Sequence, residues 1–189
     1  MIKNLRIIQS IGIGTAGYVV KVGKEEIYAQ KIMNVDEDFN IERFKKFMNE
    51  YEILNMLKHP NIVKVYGICY GNETMPPSIL MEFCSSNLDK QIVKNLLSSS
   101  YKAIVIYQIA EGLRYVHFNK IIHRDIKSKN ILINEDKIIK ICDFGISKYL
   151  SPDEYSLTIG VGTPKYMAPE IINEEKHYTE KVDVYSFGV

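Results

Sequence analysis

Asp125, Lys127 and Asn130 stand within His123-Arg124-Asp125-Ile126-Lys127-Ser128-Lys129-Asn130, and Asp143 follows at the head of Asp143-Phe144-Gly145. Residues of these types in this order could carry out phosphoryl transfer. That reaction asks little covalent chemistry of a protein. It asks that a hydroxyl be oriented, a divalent metal held and developing charge neutralised. An Asp can accept the hydroxyl proton, and a neighbouring Lys can stabilise the moving phosphate. An Asn and a second Asp offer the oxygen ligands that a hard cation prefers. One His-Arg-Asp triplet would carry little weight; the two blocks in succession carry much more.

The elements that must position these residues change character along the chain. Leu5 to Ser10, Tyr18 to Gly23 and Glu26 to Met33 are short β-rich runs separated by glycines and the Gly23-Lys24-Glu25 turn. From about Ile41 to Lys58 apolar residues Phe44, Phe47, Met48, Tyr51, Leu54 and Leu57 recur at helical spacing. Pro60 then ends that helix, because proline disfavours helical backbone in the residue before it. Ile62 to Tyr70 and Ser78 to Phe83 read as two further strands. Beyond Cys84 the pattern predicts helices at Leu88 to Leu97 and Tyr101 to Asn119, the latter with Ile104, Tyr107, Ile109, Leu113 and Val116 on its apolar side. Short strands at 131–133 and 138–141 follow the first chemical block.

Bulk properties exclude several classes of function. The 189 residues are 46% hydrophobic and 25% charged, as in ordinary globular chains. A net charge of +1 gives no reason to expect nucleic acid or a membrane surface as partner. No stretch reaches the roughly 18 apolar residues of a membrane span. Cys69, Cys84 and Cys142 lack metal-ligand spacing, so they predict reduced thiols and a cytoplasmic setting.

Further blocks narrow the reading. Gly12-Ile13-Gly14-Thr15-Ala16-Gly17-Tyr18-Val19 could let backbone N–H groups approach phosphate oxygens, since glycine places no side chain in the way. A dinucleotide-binding glycine loop would open a helix; this one runs into a strand. Ala29-Gln30-Lys31 lies on the third strand, and Ile79-Leu80-Met81-Glu82-Phe83-Cys84 on the fifth. Gly162-Thr163-Pro164-Lys165-Tyr166-Met167-Ala168-Pro169-Glu170 and Tyr178 to Val189 complete the set. Together these blocks resemble the eukaryotic protein kinase family, over the span from about Leu5 to Val189.

The resemblance implies an α+β, bilobal kinase-like fold. Residues 1–84 would form a small five-stranded β lobe with one helix and the hinge, and residues 85–189 an incomplete, mainly helical large lobe. It implies ATP and Mg²⁺, with Asp125 as base, Lys127 on the transferring phosphate, and Asn130 and Asp143 on the metal. Lys31 would pair with the α- and β-phosphates and with a Glu of the following helix; alignment favours Glu50 over Glu52. Ile11, Gly12, Gly14 and Gly17 would cover the nucleotide. Val19, Ala29 and Leu132 would close on the adenine, Met81 would limit pocket depth, and the Glu82 carbonyl and Cys84 N–H would meet the adenine edge. His123 becomes a packed residue against Phe144, stacked with Leu54 and Val65, rather than an acid or base. Arg124 could pair with a phosphorylated loop residue, Thr158 first and Ser156 second, while Thr163 would hydrogen-bond Asp125 or Lys127.

Lys127 and the Gly162-Thr163 pair match serine/threonine kinases, and the residues from Tyr178 onward look most like the tyrosine-kinase-like group, most of which modify Ser and Thr. A protein substrate with a Ser or Thr acceptor is therefore expected. Tyrosine or dual specificity, a pseudokinase that only binds, and a small-molecule phosphotransferase are the rival readings. Lys31, Asp125, Asn130 and Asp143 are all retained, against the pseudokinase; the Ala-Pro-Glu block argues against the small-molecule enzyme. The family continues with more helices, so the sequence also predicts an incomplete large lobe and an unpaired Glu170.

Overall fold

The β-rich runs of the first part pair in the order β1-β2-β3-β5-β4, all antiparallel: β1 (Arg6–Ile13), β2 (Gly17–Gly23), β3 (Ile27–Met33), β4 (Val65–Cys69) and β5 (Ser78–Glu82). This computed structural model describes residues 5–13, 17–23, 26–34, 40–72, 75–150, 161–175 and 177–189. The chain divides into two compact units, Met1–Lys58 with Val63–Cys84 and His59–Ile62 with Ser85–Val189.

In the first unit the register sorts side chains onto two faces, because directly paired residues project to the same side. Val20, Val22, Ile32 and Leu80 form a buried cluster on one face, with Tyr18 and Tyr28 against it. The pairs Val19↔Lys31, Lys31↔Ile79 and Ala29↔Met81 place those residues on the other face. One helix, α1 (Ile41–Met56), belongs to this unit. Asn40 starts it by accepting the Arg43 N–H at 2.9 Å. The buried positions are Phe47, Glu50, Ile53 and Leu54. A five-stranded sheet carrying one helix is thus what this part of the sequence predicted. Strand β1 runs further than expected, to Ile13, because register shifts near Ser10 and Gly12 let it follow β2 past the first glycine.

The second unit is mainly helical. It contains β6 (Ser86–Asn87), α2 (Leu88–Val93), α3 (Ser99–Phe118), β7 (Ile121–Ile122), β8 (Ile131–Ile133), β9 (Ile139–Ile141), β10 (Lys148–Tyr149), α4 (Pro169–Ile172) and α5 (Lys181–Gly188). Several boundaries differ from the sequence reading, three of them informatively. Helix α2 stops four residues early, as Asn95 takes a left-handed φ of 51°. Helix α3 starts two residues early, because Ser98 accepts the Tyr101 N–H. The fourth strand starts at Val65 and not at Ile62, because the segment His59–Ile62 packs in this unit: Asn61 donates to Gln108 and to the Ile139 carbonyl, and Ile62 bridges Ile141.

The predicted face of α3 also needs correction. Val105, Ile109, Gly112, Leu113 and Val116 are buried, whereas Ile104 and Tyr107 are exposed. Apolar residues occur around much of this helix, so their spacing left its orientation open. Gly112 decides it, since a Cβ there would meet the Ile141 side chain at 2.8 Å and the Asn61 carbonyl at 3.1 Å. Among the described residues no helix is long and apolar enough to cross a membrane.

Candidate active site

On the strand face that carries Val19, Ala29 and Met81, the Lys31 ammonium donates to both oxygens of Glu50, at 2.7 and 2.6 Å. Glu50 is 3% exposed, so little water screens the pair. Of the two candidate carboxylates, Glu50 thus meets Lys31, and Glu52 is exposed. Gly17 is fixed by packing, since a Cβ would fall 2.1 Å from the Ile32 carbonyl. Gly12 differs: a Cβ would meet no atom of the described residues within 4 Å. Ile11 is the residue skipped by the register between Ser10↔Val20 and Gly12↔Val19. Gly14 lies outside the described residues. In the hinge sequence the Glu82 N–H donates to the Lys64 carbonyl and its carboxylate accepts the Lys64 N–H, while Cys84 is buried.

In the second unit Asp125 is a hydrogen-bond hub. Its Oδ2 accepts from Lys127 Nζ at 2.6 Å and Asn130 Nδ2 at 2.9 Å, and its Oδ1 accepts from the Thr163 hydroxyl at 2.7 Å. Lys127 also donates to Thr163 at 2.8 Å, so Thr163 meets both of its expected partners. A carboxylate has about four lone-pair sites. Three are filled, and Oδ1 keeps room for one more donor. The turn Ser128–Asn130 directs the Asn130 amide nitrogen to the Asp125 carbonyl as well, at 2.8 Å, leaving the amide oxygen for another ligand.

His123 is fully buried with its ring edge on Phe144, centroids 4.6 Å apart. Its Nδ1 accepts the Asp125 N–H at 3.2 Å and its Nε2 meets the Cys142 carbonyl at 2.9 Å. Those partners require a hydrogen on Nε2 and none on Nδ1. Both nitrogens are occupied, and the ring positions Asp125. Leu54 and Val65 are buried in the first unit.

Asp183 is a residue that the sequence reading did not single out. It is wholly buried on α5 and accepts the backbone N–H of His123 and of Arg124, each at 2.8 Å, together with a 2.9 Å contact to His117 Nε2. Its only sequence signal was a carboxylate among apolar residues in Val182-Asp183-Val184. Arg124 needs this support: its φ is +66°, a conformation that a side chain with a Cβ disfavours. Its Nε donates to the Ile146 carbonyl and its Nη1 to the Tyr178 hydroxyl. Thr158 and Ser156 lie outside the described residues. Gly162, at φ +123°, must be glycine, because a Cβ would stand 2.8 Å from the Arg124 carbonyl. Ser186 fixes the following turn by donating to the Tyr166 carbonyl at 2.7 Å.

Asp143 has a φ of +67°, and the neighbouring Cys142 N–H donates to the Asn130 carbonyl at 3.0 Å, tying the two metal-ligand candidates into one local frame. Leu132 is half-buried on β8. Among the described residues no three His, Cys, Asp or Glu converge on one point. One carboxylate with one amide oxygen suits a hard divalent cation that takes its remaining ligands from water and phosphate. The residues present therefore fit such an ion.

The sequence profile described as protein kinase domain matches residues 5–189. The chain is 39% identical over 193 residues to a Dictyostelium discoideum protein named as a probable serine/threonine-protein kinase, covering 98% of this chain and 20% of that protein. It is 36% identical over 198 residues to serine/threonine-protein kinase CTR1 of Arabidopsis thaliana, covering 98% of this chain and 23% of that one. Mitogen-activated protein kinase kinase kinase 12 of Rattus norvegicus is 37% identical over 188 residues, 96% of this chain and 19% of its own length. The chain thus spans about a fifth of the length of these curated relatives.

Proposed function

We propose, for a chain that belongs to the protein kinase domain family, that its activity is transfer of the ATP γ-phosphoryl group to Ser and Thr hydroxyls of proteins. The observation that carries this reading is the Asp125 carboxylate, held by Lys127, Asn130 and Thr163 with one acceptor site of Oδ1 left over. A substrate hydroxyl fills that site and is oriented by it. As the hydroxyl oxygen bonds to the γ-phosphorus, its proton passes to Asp125. The bond from γ-phosphorus to the bridging oxygen breaks, and ADP leaves with that electron pair.

Lys127 steadies the transferring group while remaining tied to Thr163. Lys31, oriented by Glu50, takes the α- and β-phosphates, and the backbone at Gly12 can approach phosphate with no side chain of its own in the way. Val19, Ala29 and Met81, on one face of the sheet, provide apolar contact for the adenine, and the backbone of Glu82 and Cys84 its polar edge. Asn130 and Asp143 would hold Mg²⁺, which when bound would neutralise charge on the nucleotide phosphates. The bond between Lys127 and Thr163 supports Ser/Thr over Tyr specificity, as do the names of the relatives. Thr158, then Ser156, are the proposed phosphorylation sites. Cys69, Cys84 and Cys142, an odd number without metal-ligand spacing, support a cytoplasmic setting.

The test is label transfer from γ-labelled Mg²⁺–ATP to a mixed peptide library, followed by phosphoamino-acid analysis. Phosphoserine and phosphothreonine should form and vanish in Asp125→Asn. Label chiefly on tyrosine would overturn the specificity, and undiminished transfer by the variant would overturn the role of Asp125.

A further inference from the structure

We propose that the preferred acceptor peptides carry acidic side chains flanking the Ser or Thr, recognised by Lys129 and Lys165; this rests on the phosphotransfer reading above. Two turns border the Asp125 carboxylate. One is Ser128–Asn130, whose Asn130 donates to Asp125, and the other is Pro164–Tyr166, which follows directly on Thr163. The turns lie side by side, with the Ser128 and Tyr166 hydroxyls 3.3 Å apart. Each presents one exposed lysine, Lys129 and Lys165.

The charges around these lysines differ in availability. Lys127 is committed to Asp125 and Thr163. Asp89, half-buried on α2, already accepts from the Ser128 hydroxyl at 2.9 Å. Neither Lys129 nor Lys165 forms an ion pair among the described residues. Lys165 instead lies over the Tyr166 ring, 5.7 Å from its centroid, which keeps its ammonium beside the turn. A peptide whose hydroxyl reaches Asp125 Oδ1 comes beside the two turns that carry these solvated ammonium groups. Carboxylates or phosphates on either side of the acceptor find partners there, and lysines or arginines are repelled.

Two exposed ion pairs of ordinary strength together give about a tenfold preference, which is about 1.4 kcal/mol. The test compares kcat/KM for three peptides of equal length with one Ser, flanked on both sides by Glu, by Gln or by Lys. The Glu peptide should exceed the Lys peptide about tenfold, with the Gln peptide between them, and added salt should narrow the gap. Lys129→Glu with Lys165→Glu should reverse the order, and Lys129→Gln with Lys165→Gln should bring the ratio close to one. Equal values for the Glu and Lys peptides, or a preference that survives the charge reversal, overturns the proposal. Transfer to none of the peptides and to no member of a mixed Ser/Thr library overturns the phosphotransfer reading itself, and this inference with it.

Discussion

Lys31 and Glu50, nineteen positions apart in sequence, meet through both carboxylate oxygens at 2.6 and 2.7 Å, with Glu50 almost wholly removed from water. The pair joins β3 to α1, so it serves the fold of the first unit as well as any nucleotide. Removing one member leaves the other charge buried without its partner, which costs about 3–5 kcal/mol. We expect Lys31→Ala to lower the free energy of unfolding, measured by denaturant titration, by that amount and to abolish transfer. Lys31→Ala with Glu50→Ala should recover part of the stability and none of the activity. A double variant less stable than the sum of the singles would contradict the pairing.

Asp125→Asn keeps the shape of the hub and removes the proton acceptor. General-base contributions are about 10²–10⁴ in rate, so kcat should fall by that factor while the melting temperature changes little. Steady-state kinetics beside calorimetry checks both. A large loss of stability with near-normal kcat in the surviving protein would make Asp125 structural.

Asp183→Ala should damage the catalytic turn from a distance. It strips acceptors from the His123 and Arg124 N–H groups, each costing about 1–3 kcal/mol when buried and unsatisfied. Hydrogen exchange at those two amides should accelerate, and kcat should fall more than KM rises. Asp183→Asn retains one acceptor oxygen and should be intermediate. Unchanged exchange at both amides would refute this positioning role.

His59 predicts a pH dependence. Burial against Tyr115, where the rings stack 4.9 Å apart, pushes the imidazole below its usual range, and its Nδ1 accepts the Asn61 N–H at 3.1 Å. The folded chain therefore binds this proton less readily than the unfolded chain, whose imidazole titrates at about 6.5. Stability from this group is complete above that value and declines as pH falls through and below it. Because His59 keeps substantial contact with solvent, the slope is small. Melting temperatures between about pH 7.5 and 5.5 should fall more for the natural chain than for His59→Gln, around the ordinary imidazole value. Parallel curves would show that His59 does not contribute.

Much of the candidate site was legible because its chemistry is local. Asp125, Lys127 and Asn130 fall within six consecutive residues, and their side-chain types specify both proton acceptance and oxygen ligation. The five-stranded sheet was legible too, since alternation along β2 and β3 selects one face for Val20, Val22 and Ile32 and leaves Lys31 on the other. Choosing Glu50 over Glu52 already required the family pattern, because nothing in their immediate sequence sets two carboxylates of one helix apart.

Other features depended on contacts between distant segments. Asp183 reads as one more charge in an apolar stretch until the fold brings it under the His123 and Arg124 amides, sixty and fifty-nine residues away. The face of α3 could not be assigned from its apolar residues, since Ile104 and Tyr107 are as hydrophobic as Val105 and Ile109; the close approach at Gly112 selected it. Ile62 read as the first residue of a strand, yet it bridges Ile141, and the hydrogen bonds of the adjoining Asn61 tie this segment to α3 and β9. The sequence by itself determined which residues could do phosphoryl chemistry, because side-chain type and short spacing are local properties. Only the tertiary structure decided which buried polar groups hold those residues in place, because a hydrogen bond depends on distances that residues far apart in the chain acquire by folding.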